Sequence, residues 1–118
     1  MVSIRQEQIE ICTKYGFEPF EYDEILRIGI SDNLLTKETI FPINGLRHNP
    51  EGNTSGWYIW GGEGYSEEDD FFKPLHIFHL KKYHPELLKY LSLPPGTRFL
   101  LGENDYVDVW FDENLINL

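Results

Sequence analysis

Phe99-Leu100-Leu101-Gly102-Glu103-Asn104-Asp105-Tyr106-Val107-Asp108-Val109-Trp110-Phe111-Asp112 is the stretch that decides the fold. Phe99 to Leu101 is a short apolar run, and Gly102-Glu103-Asn104-Asp105 supplies turn residues. Val107, Val109 and Phe111 then alternate with Tyr106, Asp108, Trp110 and Asp112. Side chains of a strand point alternately to its two faces, so this pattern across a turn predicts a β-hairpin. Its apolar face suits a core, and its other face mixes aromatics with acids.

Just upstream, Leu93-Pro94-Pro95-Gly96 stops whatever precedes it. Pro95-Gly96 suits the centre of a type II turn, where glycine takes the positive φ. Before that stop, Leu87, Leu88 and Leu91 fall on one side of a helix restarted at Pro85, and Pro74 suits the first turn of a helix over 74–83. Gly56-Trp57-Tyr58-Ile59-Trp60-Gly61-Gly62 reads as an aromatic strand ended by glycines. The acidic run 63–70 follows it, and Ser66 or Asp70 is placed to cap a later helix. Residues 44–56 read as loop, because Asn44-Gly45, Asn49-Pro50 and Glu51-Gly52-Asn53 are turn signals. Ile40 to Ile43 is a short strand that Pro42 would place at an edge. Leu26, Ile28 and Ile30 alternate with Ile25, Arg27 and Gly29, which is strand periodicity. At the start, Ser3 and Gln6 have capping-box spacing, and Ile4, Ile11, Cys12 and Tyr15 share one helical face, so 4–15 is a helix stopped at Gly16.

With 118 residues and neither repeats nor a low-complexity linker, the chain is expected to be one α+β domain over 1–118. The architecture is a mostly antiparallel sheet with two or three helices packed on it. Residues 1–43 carry an N-terminal helix and strands. Eight Phe, seven Tyr and three Trp supply enough core to argue against disorder. No apolar run approaches the ~18 residues of a membrane span, and the start does not read as a secretory signal. The single Cys12 cannot form an internal disulfide, which suits a reducing compartment. A cytoplasmic protein is expected.

Charge narrows the function. Twenty acids against ten Lys and Arg leave a net charge of −10. Residues 48–72 hold six acids and residues 99–118 five, both without Lys or Arg, whereas 73–98 hold one acid and five bases. Such a chain repels the nucleic-acid backbone and speeds encounter with a basic partner. A soluble surface with pairing between acidic and basic blocks accounts for the same numbers.

Catalytic signatures are sparse. His76 and His79 would share a helical face and are the candidate metal ligands, with His48, Asp69 or Asp70 available as a third. Against that, there is no His-Glu-x-x-His, and both lie among apolar residues as core histidines do. Acid pairs for general acid–base work abound in Glu67-Glu68-Asp69-Asp70 and in Asp105, Asp108 and Asp112, which in a chain this acidic singles out none of them. Cys12 lies on the apolar face of its helix, Ser55 has no nucleophile elbow, and the glycines at 61, 62 and 64 lack the Lys-Ser/Thr of a phosphate loop. No catalytic residue, metal or cofactor is assigned, and the chain is not read as an enzyme. Binding fits better. Glu67, Glu68, Asp69 and Asp70, with Tyr106, Asp108, Trp110 and Asp112, form the expected partner surface. Trp57 and Trp60 fall on opposite faces of their strand, so both are core only if that strand is covered on both sides. If one is exposed, it offers the alternative of a small-molecule or carbohydrate platform.

Five strings stand out together: Leu46-Arg47-His48-Asn49-Pro50, Ser55-Gly56-Trp57-Tyr58-Ile59-Trp60, Asp69-Asp70-Phe71-Phe72-Lys73-Pro74-Leu75-His76, Leu93-Pro94-Pro95-Gly96-Thr97-Arg98-Phe99-Leu100 and Asp108-Val109-Trp110-Phe111-Asp112. Over roughly residues 44–114 the set resembles small bacterial immunity proteins of polymorphic toxin systems. The resemblance implies a cytoplasmic antidote that binds a cognate toxin and occludes its active site. Acidity fits a basic nuclease toxin, whose phosphate site a carboxylate-rich surface would occupy.

Overall fold

The computed structural model describes residues 3–36, 38, 40–62 and 71–116. They form one α+β domain: a six-stranded sheet of order β4-β1-β3-β2-β5-β6, with helices packed on one face. The strands are β1 (Arg27–Ser31), β2 (Ile43–Arg47), β3 (Thr54–Gly61), β4 (Phe72–His76), β5 (Thr97–Leu101) and β6 (Val107–Phe111). Only β1 and β3 run parallel, and the other neighbours are antiparallel. Helix α1 (Ile4–Lys14), helix α2 (Ile77–Tyr83) and the 3₁₀ helix Pro85–Tyr90 pack together over the sheet.

Helix α1 starts where the cap spacing placed it, with Ser3 Oγ accepting from the Gln6 amide at 3.1 Å. The Gln6 side-chain amide donates along the helix to Glu10 at 3.4 Å. Ile4 does not share the buried face and stays exposed, whereas Cys12 is buried. Burial raises the Cys12 thiol above its ordinary pKa, which leaves it protonated and inert.

The main core lies under the helices. Ile28 and Ile30, Trp57 and Ile59, Ile43, Phe99 and Val109 rise from the sheet to meet Ile77, Leu80, Leu87 and Leu91. Phe99 lies between Trp57 and Tyr90, with ring centroids at 5.5 Å and 5.1 Å. Burial pushes the Tyr90 hydroxyl up to about 12, from 10.0, with Tyr15 adding to the shift. The fold therefore favours neutral Tyr90. This contribution is fully present below pH 10 and is lost as pH rises through 12. Tyr90→Phe is expected to cost less than about 1 kcal/mol at pH 8 and to flatten the fall in stability above pH 10. Urea unfolding at the two pH values checks this, and an unchanged alkaline slope counts against it.

Three expectations are corrected. Within 44–56, residues 44–47 and 54–56 are not loop: Asn44-Gly45 lies inside β2, a central strand between β3 and β5, and β3 starts at Thr54. Pro42 precedes the strand, in a cis bond with Phe41, so it does not force β2 to the edge. Pro74 is not in a helix but in β4, which is an edge strand where a missing N–H costs no ladder bond. His76 accordingly ends β4 and precedes α2.

The second face of the sheet is also partly covered. Leu46, Trp60 and Leu115 form a small cluster joined by Tyr58, Phe71 and Phe72. The chain after β6 turns back beneath the sheet, and the Leu115 carbonyl lies 2.9 Å from His48 Nδ1. Trp57 and Trp60 do take opposite faces, and both are buried, at 0% and 6% exposure.

Candidate functional site at the β5–β6 hairpin

The hairpin forms as its alternation predicts. β5 and β6 pair in register Arg98↔Trp110, Phe99↔Val109 and Leu100↔Asp108. The turn is closed by the Gly102 amide donating to the Tyr106 carbonyl at 2.9 Å, with Asn104 and Asp105 both at positive φ. Asn and Asp tolerate that region better than other residues with side chains. At the other end, the Thr97 amide donates to the Pro94 carbonyl and Gly96 has φ +95, as the Pro95-Gly96 turn requires.

The sheet face away from the helices is covered in its middle and open at the hairpin. Trp110 is 40% exposed and Tyr106 55%, with Asp108 exposed on the same side. Asp112 behaves differently from Asp108. Its carboxylate accepts from Arg98 Nη1 at 2.9 Å and from the Asn114 amide at 3.1 Å. The Arg98 hydrogen bond is the main reason that its pKa falls below the ordinary carboxylate value. Asp112 is thus tied to the fold, and Asp108 has no ion pair among the described residues. Glu103, Asp105 and Glu113 are exposed as well, so the base-free block gathers at this end of the molecule.

Pairing between acidic and basic blocks is slight. Among the described residues His84 Nδ1 lies 3.3 Å from Glu86, and two ion pairs form, Arg5–Glu21 and Arg98–Asp112. Only the last joins the basic block to an acidic one. The other half of the expected partner surface, Glu67, Glu68, Asp69 and Asp70, lies outside the described residues.

The alternative platform is overturned. With Trp57 and Trp60 buried, neither indole offers a face for a sugar or small molecule to stack on. The candidate metal ligands lie close together, the His76 and His79 rings meeting edge to face with centroids 6.0 Å apart, but no third ligand joins them among the described residues. His76 Nδ1 lies 2.7 Å from the Ile25 carbonyl, and its ring stacks on Phe78. Among the described residues no group of three or more His, Cys, Asp or Glu side chains converges. Asp69 and Asp70 lie outside them.

Two aromatic contributors escape a strand-by-strand reading. Exposed Phe41 lines a cleft of about 480 Å³ with Tyr106, Asn104, Asp105, Lys89 and Tyr90 at the hairpin turn. Phe111, expected in the core, is 49% exposed, and its ring packs on Gly96 at the sheet edge. An aromatic beside Pro42 is a signal for the first, but nothing local to Phe111 distinguishes edge from core.

A family model described as Imm33-like domain matches residues 7–112. The chain belongs to the Imm33-like domain family. The match begins within α1 and ends at the close of the hairpin, so it takes in nearly the whole Imm33-like fold, including elements ahead of residue 44. No curated protein and no solved structure gives a match. Among the described residues, no helix of this Imm33-like chain is long and apolar enough to cross a membrane.

Proposed function

We propose that the protein is an immunity protein that binds a cognate toxin and neutralises it by covering its active site. The observation that carries this reading is the β5–β6 hairpin of an Imm33-like chain, where exposed Trp110 and Tyr106 sit beside Asp108, which has no ion pair among the described residues, in a block without Lys or Arg. Large aromatics supply contact area at low entropic cost, and surrounding acids select a positively charged partner. A basic nuclease toxin fits, because its phosphate-binding cleft would accept carboxylates. The activity is occlusion rather than catalysis, exerted where the toxin acts in the cytoplasm, with Glu67, Glu68, Asp69 and Asp70 as further toxin contacts.

Co-expression with the cognate toxin tests the proposal. The wild-type chain is expected to restore growth, and the purified pair to bind more weakly as salt rises. Trp110→Ala and Asp108→Asn are each expected to weaken binding by at least tenfold, about 1.4 kcal/mol or more, without lowering thermal stability. Asp112→Asn is expected to act mainly on stability, through the lost Arg98 pair. Growth arrest that persists beside well-expressed wild-type chain would sink the proposal. Full affinity in both Trp110→Ala and Asp108→Asn would move the contact surface away from the hairpin.

A further inference from the structure

The two edges of the sheet are treated differently. At β4, the Ile77 amide donates to the Leu26 carbonyl in the same register as Ile28↔Leu75 and Ile30↔Lys73. Bonded and non-bonded residues alternate along an antiparallel pair, so Phe72, Pro74 and His76 turn their backbone groups outward. Pro74 has no N–H to offer there, and a proline at this position guards an edge against strand addition.

At β6 the register leaves the opposite result. The Asp112 amide donates to the Gly96 carbonyl at 2.7 Å, and the Gly102 amide to the Tyr106 carbonyl at 2.9 Å. Both bonds are in frame with Arg98↔Trp110 and Leu100↔Asp108. Trp110 and Asp108 therefore spend their backbone groups on β5. Val107, Val109 and Phe111 aim theirs away from the sheet. β6 contains no proline, glycine, lysine or arginine, and the one charge on this edge is the exposed carboxylate of Asp108, which repels acidic strands and admits basic ones.

We propose that the free edge of β6 receives an extended, lysine- or arginine-bearing strand of the partner, lengthening the sheet by one strand. The proposal rests on the toxin-binding reading and gives it a mode of docking. Backbone hydrogen bonds from Val107, Val109 and Phe111 supply the pairing. Specificity comes from the flanking side chains: Asp108 and Trp110 on one face, exposed Phe111 on the other. Basic residues of the incoming strand lie opposite or diagonal to Asp108, where opposite charges across a ladder attract. A second copy of this chain is the wrong occupant on charge, because it would bring two base-free acidic blocks together along one edge.

Amide hydrogen exchange of the isotope-labelled full chain, read by NMR, tests this with an eight-residue peptide of alternating lysine and valine. Exchange at Val107, Val109 and Phe111 is expected to slow at least tenfold, with no comparable change at Phe72 or His76. A lysine–valine peptide N-methylated on the bonding edge, and an alternating glutamate–valine peptide, are expected to leave the three amides unchanged. Equal protection by the N-methylated peptide, or no protection by the lysine–valine peptide, would overturn the proposal. So would protection of these amides in a dimer of the chain alone. Val109→Pro removes one outward N–H and is expected to abolish toxin neutralisation in a chain that still folds by circular dichroism. If that variant does not fold, the N-methylated peptide still decides. A folded Val109→Pro chain that neutralises fully overturns the edge and leaves the toxin reading standing. Failure of the wild-type chain to neutralise removes the toxin reading, whatever the peptide does.

Discussion

Arg47→Ala is expected to destabilise the protein by about 4 kcal/mol, measured by urea unfolding at neutral pH. Arg47 ends β2 with its side chain 0% exposed, and no carboxylate pairs with it among the described residues. A buried guanidinium has no business in a core unless its N–H groups find acceptors. Here Nε donates to the Ser55 carbonyl at 3.0 Å, and Nη1 to the Leu91 and Leu93 carbonyls at 3.2 and 2.8 Å. Its Cζ also lies 4.8 Å from the Phe20 ring centroid and 5.6 Å from that of Trp57. Nη2 makes no hydrogen bond, and burial pulls the pKa down to about 10, leaving the group charged at neutral pH.

Truncation removes donors from carbonyls that stay buried, and opens a void. Each orphaned acceptor costs roughly 1–3 kcal/mol. The Leu91 carbonyl keeps the Trp57 Nε1 donor at 3.0 Å, so the loss falls mainly on Ser55 and Leu93. Relief of the buried charge offsets part of the sum. Arg47→Met fills most of the volume without the charge and is expected to cost about 2 kcal/mol, separating the void from the hydrogen bonds. A cost below about 1 kcal/mol for Arg47→Ala would mean that the desolvation penalty cancels everything the guanidinium holds.

That role explains why the strings that carry the resemblance say little about contacts. Arg47 in the first string and Trp57 in the second are buried, and Pro94-Pro95-Gly96 is a turn against which Arg47 bonds, its carbonyl accepting from the Gly96 amide at 2.7 Å. These are residues of the scaffold. Of the strings whose residues are all described, the last alone reaches the candidate surface, through Asp108 and Trp110.

The hairpin was legible because every signal needed for it is local: alternation on both sides of a turn that closes within a few residues. Trp110 was legible for a related reason, since acids two residues away on either side leave an indole nowhere to be buried. Asp112 was not, because its partner Arg98 is fixed by strand register. Trp57 and Trp60 were placed correctly on opposite faces, but the burial of Trp60 depends on Phe71, Phe72 and Leu115 returning to the far face, while Trp57 is covered by the helices. Pro74 was ambiguous in principle. A first helical turn and a sheet edge both tolerate a missing N–H, and only pairing with β1 separates them.

Gly45→Ala is the second large effect, and its sign is the test. In a strand, replacing glycine by alanine ordinarily stabilises by roughly 0.5–1 kcal/mol. At Gly45 an added Cβ would stand 2.2 Å from Phe99 Cε2 and 2.3 Å from Cζ. Phe99 sits directly across the ladder from Gly45, and its ring lies over the space that a side chain would fill. The ring cannot swing away, because Trp57 and Tyr90 hold it on either side. Overpacking of this kind costs about 1–3 kcal/mol, so with the ordinary gain set against it Gly45→Ala is expected to destabilise by about 2 kcal/mol. Phe99→Leu frees the space at its own cost, and in the double variant the alanine should add little further loss. A double-mutant cycle is therefore expected to show coupling of more than 1 kcal/mol in the favourable direction. Strict additivity would mean that the strain arises elsewhere on β2. The Asn-Gly pair that reads as a turn is then explained by contact: Gly45 makes room for an aromatic ring, and Asn44 holds the Gly62 carbonyl through its side-chain amide at 2.9 Å.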